Sequence, residues 1–115
     1  MARQLTPLPS REFEEICRRI DDGSAERTDL KAATKHLLAL LIRRAPGTSV
    51  EVRVPPFAAV QCIEGSRHTR GTPPAVVEMD PETWIGLARG TLRWADARLR
   101  ASGERSDISG YLPLV

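Results

Sequence analysis

Long apolar runs are missing from this 115-residue chain. No stretch approaches the roughly 20 residues that a membrane-spanning helix needs, so integral membrane contact is not expected. The start, Met1 to Pro9, also lacks the apolar run of a signal peptide. An excess of one charge is missing too. Seventeen basic residues stand against fifteen acidic ones, a formal net charge of +2, and the two signs are interspersed. Nucleic-acid binders concentrate Lys and Arg on one face, so no nucleic-acid partner is expected. Cysteine is limited to Cys17 and Cys62, in neither CxxC nor metal-ligand spacing. They read as small buried hydrophobes in a reducing compartment, which makes the expected location cytoplasmic. Histidine is limited to His36 and His68, with no second His or carboxylate at ligand spacing, so no metal site is expected. A Gly-x-Ser-x-Gly elbow, a Gly-rich phosphate loop after a strand and a Cys with a neighbouring His are all lacking. The sequence therefore predicts neither catalysis nor a cofactor. Aromatics make up only 4% of residues, so a core must rest on Val, Leu, Ile and Ala.

What is present is organised as one α+β domain over 1–115, with 1–9 as an extended lead-in. Phe13, Ile16, Cys17 and Ile20 recur at i, i+3, i+4 and i+7, the stripe of a helix that Ser10 can cap and Gly23 can end. Leu30, Ala33, Leu37, Leu38 and Leu41 mark a second helix, capped by Thr28 or Asp29 and stopped by Ala45-Pro46-Gly47. The period then changes from 3.6 to 2. Val50, Val52 and Val54 alternate with Glu51 and Arg53, which is the pattern of a strand with one face on a core. Pro55-Pro56 interrupts it. Residues 57–63 are apolar on both faces apart from Gln61, which predicts a central strand, and 75–79 predict a third. A polar loop of residues 65–74 joins these two.

Asp80-Pro81 opens a short helix with an acidic cap and proline at its first position, and Gly90 closes it. Thr91, Leu92, Ala95 and Leu99 suggest another short helix, and 101–105 an edge strand. This order of elements argues for a twisted, mainly antiparallel sheet of four to five strands, covered on one face by helices.

Two groups of residues are candidates for binding. Arg67, His68 and Arg70 lie within four positions on the glycine-flanked loop and could hold a phosphate or carboxylate, or could merely solvate a turn. Trp84 shares a stripe with Leu87 and Ala88, and either a core or a cavity wall uses such residues. Tyr111 could offer a hydroxyl or anchor the C-terminal segment.

Several segments together resemble the sterol carrier protein-2 family, most closely its small bacterial orthologues. These are Val50-Glu51-Val52-Arg53-Val54-Pro55-Pro56-Phe57, Ala59-Val60-Gln61-Cys62, His68 to Pro74, and Asp80…Thr83-Trp84…Leu87…Gly90…Leu92…Ala95. Ala101-Ser102-Gly103 and Leu112-Pro113-Leu114 complete them. The resemblance covers about residues 28–115. It implies an apolar tunnel between sheet and helices that takes a fatty acid, an acyl-CoA or a sterol-like lipid, without catalysis. The wall it implies is Val54, Phe57, Val60, Val77, Trp84, Leu87, Leu92 and Trp94, with Arg67, His68 and Arg70 as a polar rim. Related domains also form parts of mycothiol-dependent isomerases and of some acetyltransferases in actinobacteria. An interaction module with a filled cavity is the alternative: a homodimer, or the partner of a CoA- or mycothiol-using enzyme. The chain departs from the family where Arg98-Leu99-Arg100 runs straight into Ala101-Ser102-Gly103, which implies a shortened connection before the last strand. Its tail, Leu112 to Val115, carries no peroxisomal address.

Overall fold

The computed structural model describes residues 5–65, 75–103 and 106–115. Three helices and four strands follow in the order α1 (Ser10–Asp22), α2 (Arg27–Arg44), β1 (Val50–Val54), β2 (Ala58–Cys62), β3 (Ala75–Met79), α3 (Pro81–Arg89) and β4 (Leu99–Ser102). Each boundary has a local cause. Gly23 and Gly90 close α1 and α3 in the left-handed conformation, at φ 81° and 80°, where a Cβ would be strained. Asp80 accepts the Thr83 N–H at 2.7 Å, with Pro81 as first helical residue.

Two caps differ from expectation. Ser10 is already helical, because the chain turns at Pro9, which makes no side-chain cap bond. Helix α2 starts at Arg27, ahead of Thr28. Glu26 and Asp29 form a reciprocal capping box there, each carboxylate accepting the other residue's N–H.

The strands form one sheet in the order β2-β1-β3-β4. The β1–β2 and β3–β4 ladders are antiparallel and the β1–β3 ladder is parallel. The expectation of a mainly antiparallel α+β sheet therefore holds, with one parallel seam. Strand β2 is at the edge, not the centre. Phe57 lies outside the strand, and Ala59 and Gln61 point to solvent, so its apolar look comes from a hairpin residue and a small exposed one. The register puts Val50, Val52 and Val54 beside Cys62, Val60 and Ala58 on one side and beside Ala75 and Val77 on the other. This face is covered by helices: Leu37, Leu38 and Leu41 of α2 and Trp84 and Leu87 of α3 share its buried cluster. The opposite face carries exposed Arg53, Ala59, Gln61 and Arg100, with Glu51 paired to Arg53.

Residues 91–99 also differ from expectation. Only Trp94–Asp96 turn, as a short 3-10 segment, and Leu99 begins β4. Leu92, Ala95 and Leu99 have helical spacing, but Leu99 pairs with Met79 across the sheet, so pairing overrides the local period. The connection before the last strand is thus as short as the sequence implies.

The C-terminal segment returns to the helices. Ile108 and Leu114 enter the core, the Leu114 N–H donates to the Ala88 carbonyl at 2.8 Å, and Arg44 donates to the Tyr111 and Pro113 carbonyls. Tyr111 itself is 36% exposed. At the end of β2, Ile63 has φ +67°, a strained value for a β-branched residue. The strain is held by its N–H donating to the Ala45 carbonyl and by Ser49 donating to its carbonyl from both N–H and hydroxyl.

Candidate functional site

The eight apolar wall residues fall into two sets. Val54, Val77 and Trp84 are fully buried and Leu87 is 2% exposed, all in the cluster between sheet and helices. Phe57, Val60, Leu92 and Trp94 are half-buried at its margins. Val60, Leu92 and Trp94 pack against the cluster, and Phe57 lies under the Arg27 guanidinium, 5.1 Å from its ring centre. The inner set meets as one packed layer, and the outer set surrounds it. Arg67, His68 and Arg70 lie outside the described residues.

Within this layer Trp84 donates its indole N–H to the Thr34 carbonyl at 3.3 Å, fixing α3 against α2. Thr34 is fully buried, and its hydroxyl oxygen is left without a hydrogen-bond partner. An orphaned buried hydroxyl costs about 1–3 kcal/mol. A threonine inside a helix commonly bonds a carbonyl one turn back, so this one is an exception.

Open space occurs on the outer side of the helices. A groove of about 370 Å³ runs between the end of α1, the start of α2 and the length of α3. That volume is at the small end of the range for ligand pockets, roughly 300–1,000 Å³. Its apolar lining is Ile20, Ala25, Leu30 and Ile85, and its polar lining includes Asp21, Glu82 and Arg89. Arg89 grips Asp21 with two parallel bonds of 2.9 and 3.0 Å. That pairing holds the Asp21 carboxyl below its ordinary range. A second bidentate pair, Arg19 with Asp29 at 2.9 and 2.8 Å, ties the end of α1 to the start of α2. The two arginines fix the turn that forms one wall of the groove.

Sequence reasoning missed this groove. Its residues come from three helices, and Asp21 and Arg89 are 68 positions apart. Ile20 and Leu30 were visible only as members of helical stripes, and nothing in either stripe distinguishes a groove lining from a core contact. A second depression, of about 640 Å³, is lined by Pro55, Glu78, Asp80, Arg98 and Arg100 among others, with charges of both signs.

The nucleophile candidates are quiet. Burial pushes the Cys17 thiol up, and pushes that of Cys62 up to about 11, so both are neutral at pH 7. His36 is buried, stacks on Phe13 at 4.1 Å and accepts the Leu8 N–H at Nδ1 over 2.8 Å, which occupies it structurally. Among the described residues, no three His, Cys, Asp or Glu side chains converge as a metal site would require. Nor, among them, is any helix long and apolar enough to cross a membrane.

The profile of one protein family, described as bacterial SCP ortholog, matches residues 26–114 of the chain. No curated protein matches it.

Proposed function

The chain belongs to the family of bacterial SCP orthologues, lipid-binding domains in general character, and from that premise we propose that it binds one apolar ligand without transforming it. The ligand class is a fatty acid, an acyl-CoA or a sterol-like lipid. One observation carries the reading beyond the family: an apolar groove with a charged rim lies over the packed layer of Val54, Val77, Trp84 and Leu87. In this reading the groove is the mouth, and the inner wall residues are the surface that a longer ligand reaches when α2 and α3 part. Phe57, Val60, Leu92 and Trp94 close the margins.

The test is displacement of a fluorescent fatty acyl probe, paired with thermal unfolding. A ligand bound only by the native state and present at a hundred times its Kd stabilises by about 2.7 kcal/mol. A higher Tm and probe displacement by at least one of the three ligand classes are expected. Leu30→Trp, which fills the groove from its half-buried lining, should weaken both effects. No shift and no displacement with any class at micromolar concentration would refute the reading.

A second reading is an interaction module with its interior filled by side chains. The complete burial of Val54, Val77 and Trp84 favours it, as do β2 and β4 at the two edges of the sheet. An edge strand offers unpaired backbone groups to a second copy. Light scattering after size-exclusion chromatography decides: a dimer supports this reading, and a strict monomer refutes the homodimer.

A further inference from the structure

The ligand class can be narrowed from two features of the groove that are independent of each other. The first is Thr34. Leu30 lines the groove, and Thr34 follows it by four residues on the same side of α2, about 5–6 Å further along. Across from it on α3, Trp84 reaches the Thr34 carbonyl, and the next residue, Ile85, lines the groove. The orphaned Thr34 hydroxyl is therefore one helical turn beneath the groove on α2 and one residue from it on α3. A hydroxyl both donates and accepts, so it can complete one hydrogen bond with a neutral oxygen of either kind.

The second feature is the charge of the rim. Two carboxylates, Asp21 and Glu82, line the groove with a single guanidinium, Arg89, whose bidentate bonds go to Asp21. An entering carboxylate thus meets a net negative rim. Beneath it lies an apolar lining whose nearest polar atom, the Thr34 hydroxyl, carries no charge. Burying an ion there without a counter-charge is far more costly than burying a neutral head that makes one bond.

We propose that the groove selects a neutral apolar alcohol over an ionised carboxylate of the same chain, and that Thr34 is the specificity-determining residue. This rests on the reading of the chain as a binder of one apolar ligand. The alcohol slides its chain over Ile20, Leu30 and Ile85 and places its hydroxyl against that of Thr34. No covalent step is involved.

Matched ligands test it directly: decan-1-ol and decanoate at pH 8, each titrated by probe displacement and by thermal shift. The wild-type chain should bind decan-1-ol about tenfold more tightly, the equivalent of one good hydrogen bond. Thr34→Val keeps the shape and removes the orphan, so without ligand it should melt above wild type, and it should lose most of that preference. Thr34→Ser retains a hydroxyl and should retain the preference, which separates the hydrogen bond from packing. Decanoate binding as tightly as decan-1-ol, or Thr34→Val binding the alcohol like wild type, would overturn the proposal while leaving apolar-ligand binding intact. If neither ligand binds wild type and other apolar lipids also fail, the broader reading falls with it.

Discussion

Helices α2 and α3 have two sides made of the same residue types, and the two sides end in opposite states. On the inner side Leu37, Leu38, Leu41, Trp84 and Leu87 interlock with Val50, Val52, Val54 and Val77, and all are at most 2% exposed. On the outer side Leu30 and Ile85 meet Ile20 across open space of about 370 Å³. The difference is what stands opposite. A sheet presents a continuous apolar face every second residue along each strand. The short turn from α1 to α2 presents Asp21, Gly23 and Ala25, too small or too polar to fill the gap. Composition alone does not separate a core from a binding surface; the geometry of the neighbour does.

Trp84→Ala tests the dry side with the largest expected effect. Removing a fully buried aromatic costs about 3–5 kcal/mol, read as a fall in the urea midpoint at unchanged m-value. A loss under 1 kcal/mol would mean that the inner layer is already loose and the contrast with the groove is false.

The strained rim of the dry side comes next. In ordinary extended or helical positions Ala is more stable than Gly by about 0.5–1 kcal/mol. At Ile63 both substitutions remove the same buried side chain, but φ +67° favours Gly. Ile63→Gly should therefore unfold at higher urea than Ile63→Ala, by about 1 kcal/mol. The usual order would show that no strain is held there.

His36 sharpens the comparison through pH. Burial lowers its pKa below the ordinary 6.5. The neutral form, which accepts the Leu8 N–H, is thus the one that the fold favours. The unfolded chain binds the proton first, so the stability this provides is complete above about pH 6.5 and is lost as pH falls through that value toward the lowered one. Urea midpoints of wild type should decline from pH 7.5 to 5, and those of His36→Gln should decline less. The lowered carboxyls, with ordinary values near 3.8, titrate below this window. Parallel declines would remove His36 as the cause.

The smallest effect belongs to the groove. Asp21 is largely exposed, at 60% of its side chain, so Asp21→Asn should cost well under 1 kcal/mol of stability. Its effect should appear in binding instead: removing one rim charge should raise affinity for decanoate and leave that for decan-1-ol unchanged. A stability loss as large as that of Trp84→Ala would make the groove a structural joint.

Much of this was legible in the chain. The alternation of Val50, Val52 and Val54, the Asp80-Pro81 start and the glycine stops at Gly23 and Gly90 are local signals, and they hold locally. The failures are non-local. Residues 57–63 read as central because apolar content does not report which neighbours a strand has, and the parallel seam between β1 and β3 leaves no trace in either strand. Leu92, Ala95 and Leu99 keep a helical period that pairing with Met79 overrides. The Glu26–Asp29 capping box went unseen because a glutamate cap is not among the usual ones. The inner wall was named through Val54, Val77, Trp84 and Leu87, whereas the groove was not, since Ile20, Leu30 and Ile85 share no period. Nothing about Thr34 in the sequence says that its hydroxyl goes unpaired.

The central claim is that this fold holds an apolar molecule. Native mass spectrometry of the protein as purified from its producing cells, repeated after denaturation, tests it most directly. The account predicts an added mass that leaves on denaturation and is identified as a neutral, hydroxyl-bearing lipid. A bare mass that no apolar ligand added in solution can shift would contradict it.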